Sequence, residues 1–156
     1  MTNKDGSLIN FNFQPGDTFL TRNEGEENNE SPGYWNHCAI YIGDEKIVEA
    51  QVEPYNKVMY SHLGEFIQRY PNIKVLRHPN PDTALLAASN ACKSVGRPYW
   101  RGGSIFRNLR SVFRGENCVS VIRRAWFLAL RFDPRWHRPD HVLTFGFKIV
   151  AEKREK

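Results

Sequence analysis

Three cysteines (Cys38, Cys92 and Cys118) and five histidines (His37, His62, His78, His137 and His141) are the side chains that could carry covalent or metal chemistry in this sequence. A thiol nucleophile works as its thiolate, so it needs a lowered pKa, which a helix N-terminus or a nearby imidazole can supply. Cys118 follows Asn117 at the start of "NCVSVIRRAWFLALRF", an amphipathic run with an N-cap residue in front of it. There the unpaired N–H groups and the helix dipole favour a thiolate, and the same groups could hold an oxyanion. Cys92 sits late in the Ala-rich "PDTALLAASNACKSVG" and reads as a small core residue. Cys38 stands directly beside His37 in "HCAIYIG", but neighbouring side chains on a strand point to opposite faces. The adjacent pair is therefore not expected to act together, and Cys38 is expected to be a buried packing residue.

An imidazole base needs a partner that orients its ring. If "GDE" is a three-residue loop, Ala39 pairs with Glu49 and His37 with Gln51, which puts His37 and Glu49 on one face. A two-residue loop would place them on opposite faces, so both registers stay open. Each residue alone also has a structural explanation: a histidine satisfied at a strand end, a cysteine packed at a helix start, a glutamate paired with a surface lysine. His137 and His141 are four apart in "HRPDH", but the proline between them breaks the helix that would align them, and no CxxC or HExxH spacing completes a zinc site. No metal and no cofactor are expected.

The elements that must position these groups are mixed. "PGDTFLTR" reads as a turn and a strand, and "NEGEENNESPG" (residues 23–33) as a polar mobile loop. "HCAIYIG" and "KIVEA" form a hairpin, and "VMYSHLGEFIQRYP" a short helix stopped by Pro71. "NIKVLRHP" is another strand, and Pro81 starts a helix that Gly96 stops. "SIFRNLRSVFRG" places Ile105, Leu109, Val112 and Phe113 on one face, "HRPDHVL" turns the chain, and "TFGFKIVA" is a last strand. Strands early and late with two core helices between them predict an α+β fold, an antiparallel sheet packed against helices. The 156 residues form one expected domain, with a core over about 15–150 and no linker.

Forty per cent hydrophobic and 13% aromatic residues suit a globular chain and exclude a disordered one. The polar start "MTNKDGSLIN" lacks a signal-peptide core, so a cytoplasmic location is expected unless another secretion or lysis system delivers the protein. The odd cysteine count argues for reduced thiols. The net charge of +5 conceals an acidic first sixty residues (four Lys/Arg, ten Asp/Glu) and a basic stretch over 97–140 (ten Arg, three acids). Internal pairing and a solvated face account for this pattern. The arginines interleaved in "IFRNLRSVFR" would also suit an anionic membrane surface. No recognition motif supports a nucleic-acid partner, and none is expected.

In their order, "PGDTFLT", "WNHCAIYIGDEKIVEA", "GRPYW", "NCVSVIRRAW" and "RPDHVL" resemble circularly permuted NlpC-type, papain-like thiol hydrolases of the YiiX/YebB group, over about Pro15 to Val150. The resemblance implies a papain-like α+β fold and a cysteine amidase or peptidase; a monomer is expected. By the resemblance Cys118 would be the nucleophile, His37 the general base and acid, and Glu49 the group orienting the imidazole. Tyr99 of the Gly-x-Pro-Tyr turn would line the cleft, and Trp35 and Tyr41 are the other expected substrate contacts. The expected partner is a peptide, amide or lipid acyl substrate. Two motifs depart from the family pattern: Ala39 replaces a glycine, and "CVSVIRR" replaces Cys-Ser-Glu-Leu-Val, which alters the pocket beside the thiol. A lipid-acting thiol acyltransferase or esterase, and a non-catalytic acyl- or peptide-binding module on the same scaffold, are the rival readings.

Overall fold

The computed structural model describes Leu8 and residues 10–22, 34–52, 54–99 and 117–154. The polar loop over 23–33, and the apolar and arginine stripe of "SIFRNLRSVFRG", lie outside the described residues.

Six strands make one antiparallel sheet: β1 (Thr18–Arg22), β2 (His37–Gly43), β3 (Lys46–Gln51), β4 (Lys57–His62), β5 (Asn72–Arg77) and β6 (Lys148–Arg154). Their order across the sheet is β4-β3-β2-β1-β5-β6. Among the described residues, three helices cover it: α1 (Leu63–Arg69), α2 (Pro81–Cys92) and α3 (Cys118–Leu130), followed by a 3₁₀ turn over Pro139–Thr144. The α+β expectation describes this architecture.

Both faces of the sheet are buried, which is why β2 and β3 read as unbroken apolar runs rather than alternating ones. Leu20, Cys38, Ile40 and Val48 point toward α2 and α3, where they meet Ala87, Ala91, Val121, Ile122 and Trp126. Phe19, Ala39, Tyr41, Ile47, Ile73 and Val75 point the other way and are covered by Leu63 and Phe66 of α1. The stretch "VMYSHLGEFIQRYP" is thus not one helix. Its first five residues pair one by one with β3, from Lys46 opposite His62 to Ala50 opposite Val58. Strand pairing overrides the local helical pattern there, and the helix begins only at Leu63, where the His62 ring accepts the Gly64 N–H at 3.2 Å.

The Gly-Asp pair before β1 serves a close packing contact. Gly16 has φ of +95°, and a Cβ there would lie 2.4 Å from the Ala84 carbonyl oxygen on α2. Asp17 follows, buried, and takes both Nε and Nη2 of Arg77 at 2.7 Å and the Gln14 N–H at 2.8 Å. Asn80 caps α2 through the Thr83 N–H at 3.0 Å, with Pro81 in its first turn. Alanines at 84, 87, 88 and 91 let that helix lie close, and Asn90 Nδ2 donates to the Ala125 carbonyl of α3 at 3.3 Å.

Candidate active site

Helix α3 starts where its sequence signal places it. The Asn117 side chain accepts the Ser120 N–H at 2.9 Å, and the Ser120 hydroxyl accepts the Asn117 N–H at 2.8 Å, a reciprocal cap. Val119, Val121, Ile122, Ala125 and Trp126 bury the inward face, and the Trp126 indole N–H reaches the Thr18 hydroxyl at 3.2 Å. Cys118 is thereby fixed in the first turn, 9% exposed.

His37 is the first residue of β2, opposite Thr21 of β1. Glu49 stands opposite Ala39, so His37 and Glu49 share a face and lie diagonally across the hairpin. The connection combines two features. Asp44 and Glu45 both have positive φ (49° and 54°), as a two-residue primed turn requires, and Gly43 pairs with Lys46. A bulge between Tyr41 and Gly43 then adds one residue to β2 and restores the Ala39–Glu49 pairing that a plain two-residue loop would lose.

His37 Nε2 and Glu49 Oε2 are 2.9 Å apart. The Cys118 sulfur interacts with the same imidazole, and each group favours the charged form of the other. With Nε2 committed to Glu49, the ring offers Nδ1 to the thiol. Behind the ring lies Tyr70, with centroids 5.6 Å apart and planes 22° apart. Glu49 is fully buried, yet its other oxygen takes the Ser61 hydroxyl and Arg69 Nη1, the latter at 2.8 Å.

The charges follow from these contacts. Burial alone would push the Glu49 carboxyl up, but His37, Ser61 and Arg69 outweigh it and hold the pKa at about 2. Burial would likewise lower His37, and the Tyr70 oxygen, the Cys118 sulfur and Glu49 reverse that, holding its pKa well above the ordinary imidazole value. Cys118 is held well below the usual thiol range, first by a hydrogen bond from the Cys38 side chain, against its own burial, and then by His37 and the Cys38 backbone. Cys38 itself is pushed up by burial and by the Cys118 sulfur. The arrangement favours a thiolate–imidazolium pair beside an ionised carboxylate.

Cys38 is the buried packing residue that was expected, and it also acts on Cys118. It is buried on the helix side of the sheet as alternation requires, but Cys118 lies at the strand end, where Cys38 and His37 reach it from opposite faces. Trp35 is buried in the helix-side core, under Lys74 Nζ at 5.3 Å from its ring centroid, with its backbone N–H donating to Asp140 at 3.0 Å. Tyr41 is a core residue at the far end of β2, about 13 Å along the strand from His37 at ~3.3 Å per residue. Its hydroxyl accepts the Glu45 N–H at 3.3 Å, which ties it to the hairpin turn rather than to the thiol. Tyr99 is half-buried against the helix-side core, and its N–H bonds the Asn56 carbonyl at 2.8 Å. Ser61, Arg69 and Tyr70 are the site residues that sequence reasoning did not find. Only Ser61 left a trace: its odd position on β4 matches Glu49 on β3 once that pairing is known.

Residues 12–108 match the family model described as "Permuted papain-like amidase enzyme, YaeF/YiiX, C92 family". The chain belongs to this family. The match includes His37, Glu49 and Tyr99 and ends ten residues before Cys118. Among solved structures, the C92 chain is similar to YiiX from Escherichia coli O157:H7, with a TM-score of 0.57 and 17% identity over 77% of this chain and 68% of that one. No curated protein matches the sequence. The fold and family are those of a papain-like cysteine hydrolase. YiiX is described as a metalloprotein, but the described residues of the C92 chain contain no group of three His, Cys, Asp or Glu side chains that could hold a metal ion.

Proposed function

We propose that this protein hydrolyses an amide or ester bond through a Cys118 acyl-enzyme, with His37 as base and acid and Glu49 orienting the imidazole. The connected series Cys118–His37–Glu49 carries this reading. The Cys118 thiolate attacks the carbonyl carbon, and the carbonyl electron pair moves to oxygen. Within the first turn of α3, the Ser120 and Val121 N–H groups are spent on Asn117, so the Cys118 and Val119 amides are the ones assigned to the oxyanion. As the tetrahedral adduct collapses, imidazolium Nδ1–H protonates the departing amine or alkoxide. Neutral His37 next takes a proton from water, the hydroxide attacks the thioester, and the thiolate leaves as the acid is released.

The test needs no knowledge of the natural substrate. An activated acyl ester should leave one acyl group on Cys118, seen by intact mass and peptide mapping, and release its phenol catalytically. Cys118→Ala that folds normally by circular dichroism yet keeps turnover would overturn the assignment. A wild-type protein with neither an acyl adduct nor an acidic thiol would point instead to a binding module.

Action on lipid acyl groups at an anionic membrane surface is the second reading. It draws on α3, whose outward positions Arg124, Phe127, Leu128 and Arg131 recur at helical spacing, with Phe127 and Leu128 43% and 47% exposed. Flotation with vesicles containing anionic lipid, but not with neutral vesicles, supports it. Equal recovery with both counts against it.

A further inference from the structure

The Glu49 carboxylate is used asymmetrically. Oε2 faces His37, while Oε1 receives both the Ser61 hydroxyl from β4 and the Arg69 guanidinium from α1. Ser61 can reach because it sits opposite Ile47, the diagonal neighbour of Glu49 on the same face. Arg69 can reach because α1 ends there. Tyr70 precedes Pro71 and takes the extended conformation (φ −108°, ψ 123°) that a following proline favours. That break turns the Tyr70 ring onto His37 and leaves the last helical side chain, Arg69, over the sheet. The Arg69 guanidinium also lies 5.7 Å from the Tyr70 ring centroid. One helix end thus holds both the carboxylate and the ring.

We infer that Ser61 and Arg69 are positioning residues that fix the Glu49 carboxylate in its ionised form and in the one orientation that serves His37. This rests on the proposed Cys118–His37 chemistry and adds a further layer to it. A buried carboxylate facing only an imidazolium can take its proton and neutralise both groups, which removes the counter-ion of the thiolate. Arg69 blocks that exchange because a guanidinium does not deprotonate in proteins. Ser61 adds a donor to the charged form, and two donors on Oε1 prevent the carboxylate from turning its bound oxygen away from the ring. Among the described residues, the groups facing Glu49 are His37, Ser61, Arg69 and Tyr70, and Arg69 is the fixed positive charge of that set.

The experiment is the pH dependence of iodoacetamide alkylation of Cys118, followed by mass on the full chain, for wild type, Ser61→Ala, Arg69→Met and Arg69→Lys. With either donor removed, burial drives the Glu49 titration upward into the assayed range. Once Glu49 is neutral, the imidazolium loses its partner and the thiolate reprotonates. The expected result is a loss of rate confined to the acid side, on the order of tenfold for Arg69→Met and smaller for Ser61→Ala, with the alkaline plateau unchanged. Arg69→Lys should recover most of it. A merely structural role would scale the rate by the folded fraction without moving the profile. Profiles that superimpose on wild type in the folded Ser61→Ala protein would overturn the inference, and that variant decides alone if Arg69→Met does not fold. If wild type itself lacks an acidic thiol at Cys118, the catalytic reading fails first, and this inference fails with it.

Discussion

Glu49→Gln is the substitution whose consequence can be worked out most fully. The Glu49 side chain is fully shielded from solvent, so little screening softens its interactions. Its pKa falls from the ordinary 4.5 to about 2. That depression corresponds to roughly 3 kcal/mol of stability at neutral pH. The folded-state pKa is the lower one, so the contribution is complete above about 4.5 and is lost as pH falls through about 2. By the linkage relation it should be about 2 kcal/mol at pH 3.5. Glutamine keeps the shape but carries no charge, so the stability difference between wild type and Glu49→Gln should shrink by roughly 1 kcal/mol from pH 7 to pH 3.5. Urea unfolding of both proteins at the two pH values measures this, and any packing cost of the substitution itself cancels because it does not depend on pH. A difference that stays constant across the range would refute the picture of a carboxylate held ionised by His37, Ser61 and Arg69.

Other substitutions test separate parts of the reasoning. Cys38→Ala removes the first contributor to the acidity of Cys118, so alkylation of Cys118 should require a higher pH; an unmoved profile would return Cys38 to a packing role. Asn117→Ala deletes the cap of α3 and should cost about 1 kcal/mol, read as a melting temperature about 2–4 °C lower. Gly16→Ala meets the Ala84 carbonyl as well as a positive φ, whereas Gly96→Ala has an equally positive φ (+88°) and nothing within 4 Å. The second should cost about 1–2 kcal/mol and the first clearly more; equal losses in thermal unfolding would remove the steric argument.

What the sequence made legible was the part that local chemistry dictates. Asn117 before an amphipathic run marks a capped helix, and Pro81 marks the start of another, because caps and first-turn prolines act within a few residues. Cys118 and His37 are nameable as candidates for the same reason. The shared face of His37 and Glu49 is different. It depends on the parity of a hairpin, and the bulge beside Gly43 supplies the residue that a three-residue loop would have supplied. No rule of turn length distinguishes the two routes. The Ser61 and Arg69 contacts were illegible, because one needs the β3–β4 register and the other needs to know on which face α1 lies. The helical pattern across "VMYSHLGEFIQRYP" misled for a related reason: the first five residues of that stretch are claimed by pairing with β3, a partner that they do not announce.

The position of His37 along its strand explains how one site can draw on both sides of a two-faced sheet. Its ring belongs to the α1 side, stacked on Tyr70, while Cys118 arrives on α3 from the other side. A histidine in the middle of β2 would have the sheet between its ring and that helix, as Tyr41 does four residues on. At the first residue of the strand the backbone ends and the ring can meet the thiol past the edge. The same location lets Cys38, facing the helices, touch the sulfur from the opposite direction. Acidity at Cys118 is therefore assembled from two layers that share no core. Through Cys38, changes on the helix side act on the thiolate directly. On the α1 side they act through Glu49 and the ring. Because both routes end on the same sulfur, combining Cys38→Ala with Arg69→Met should shift the alkylation profile by an amount that departs from the sum of the single shifts, and a strictly additive double variant would refute the shared end point.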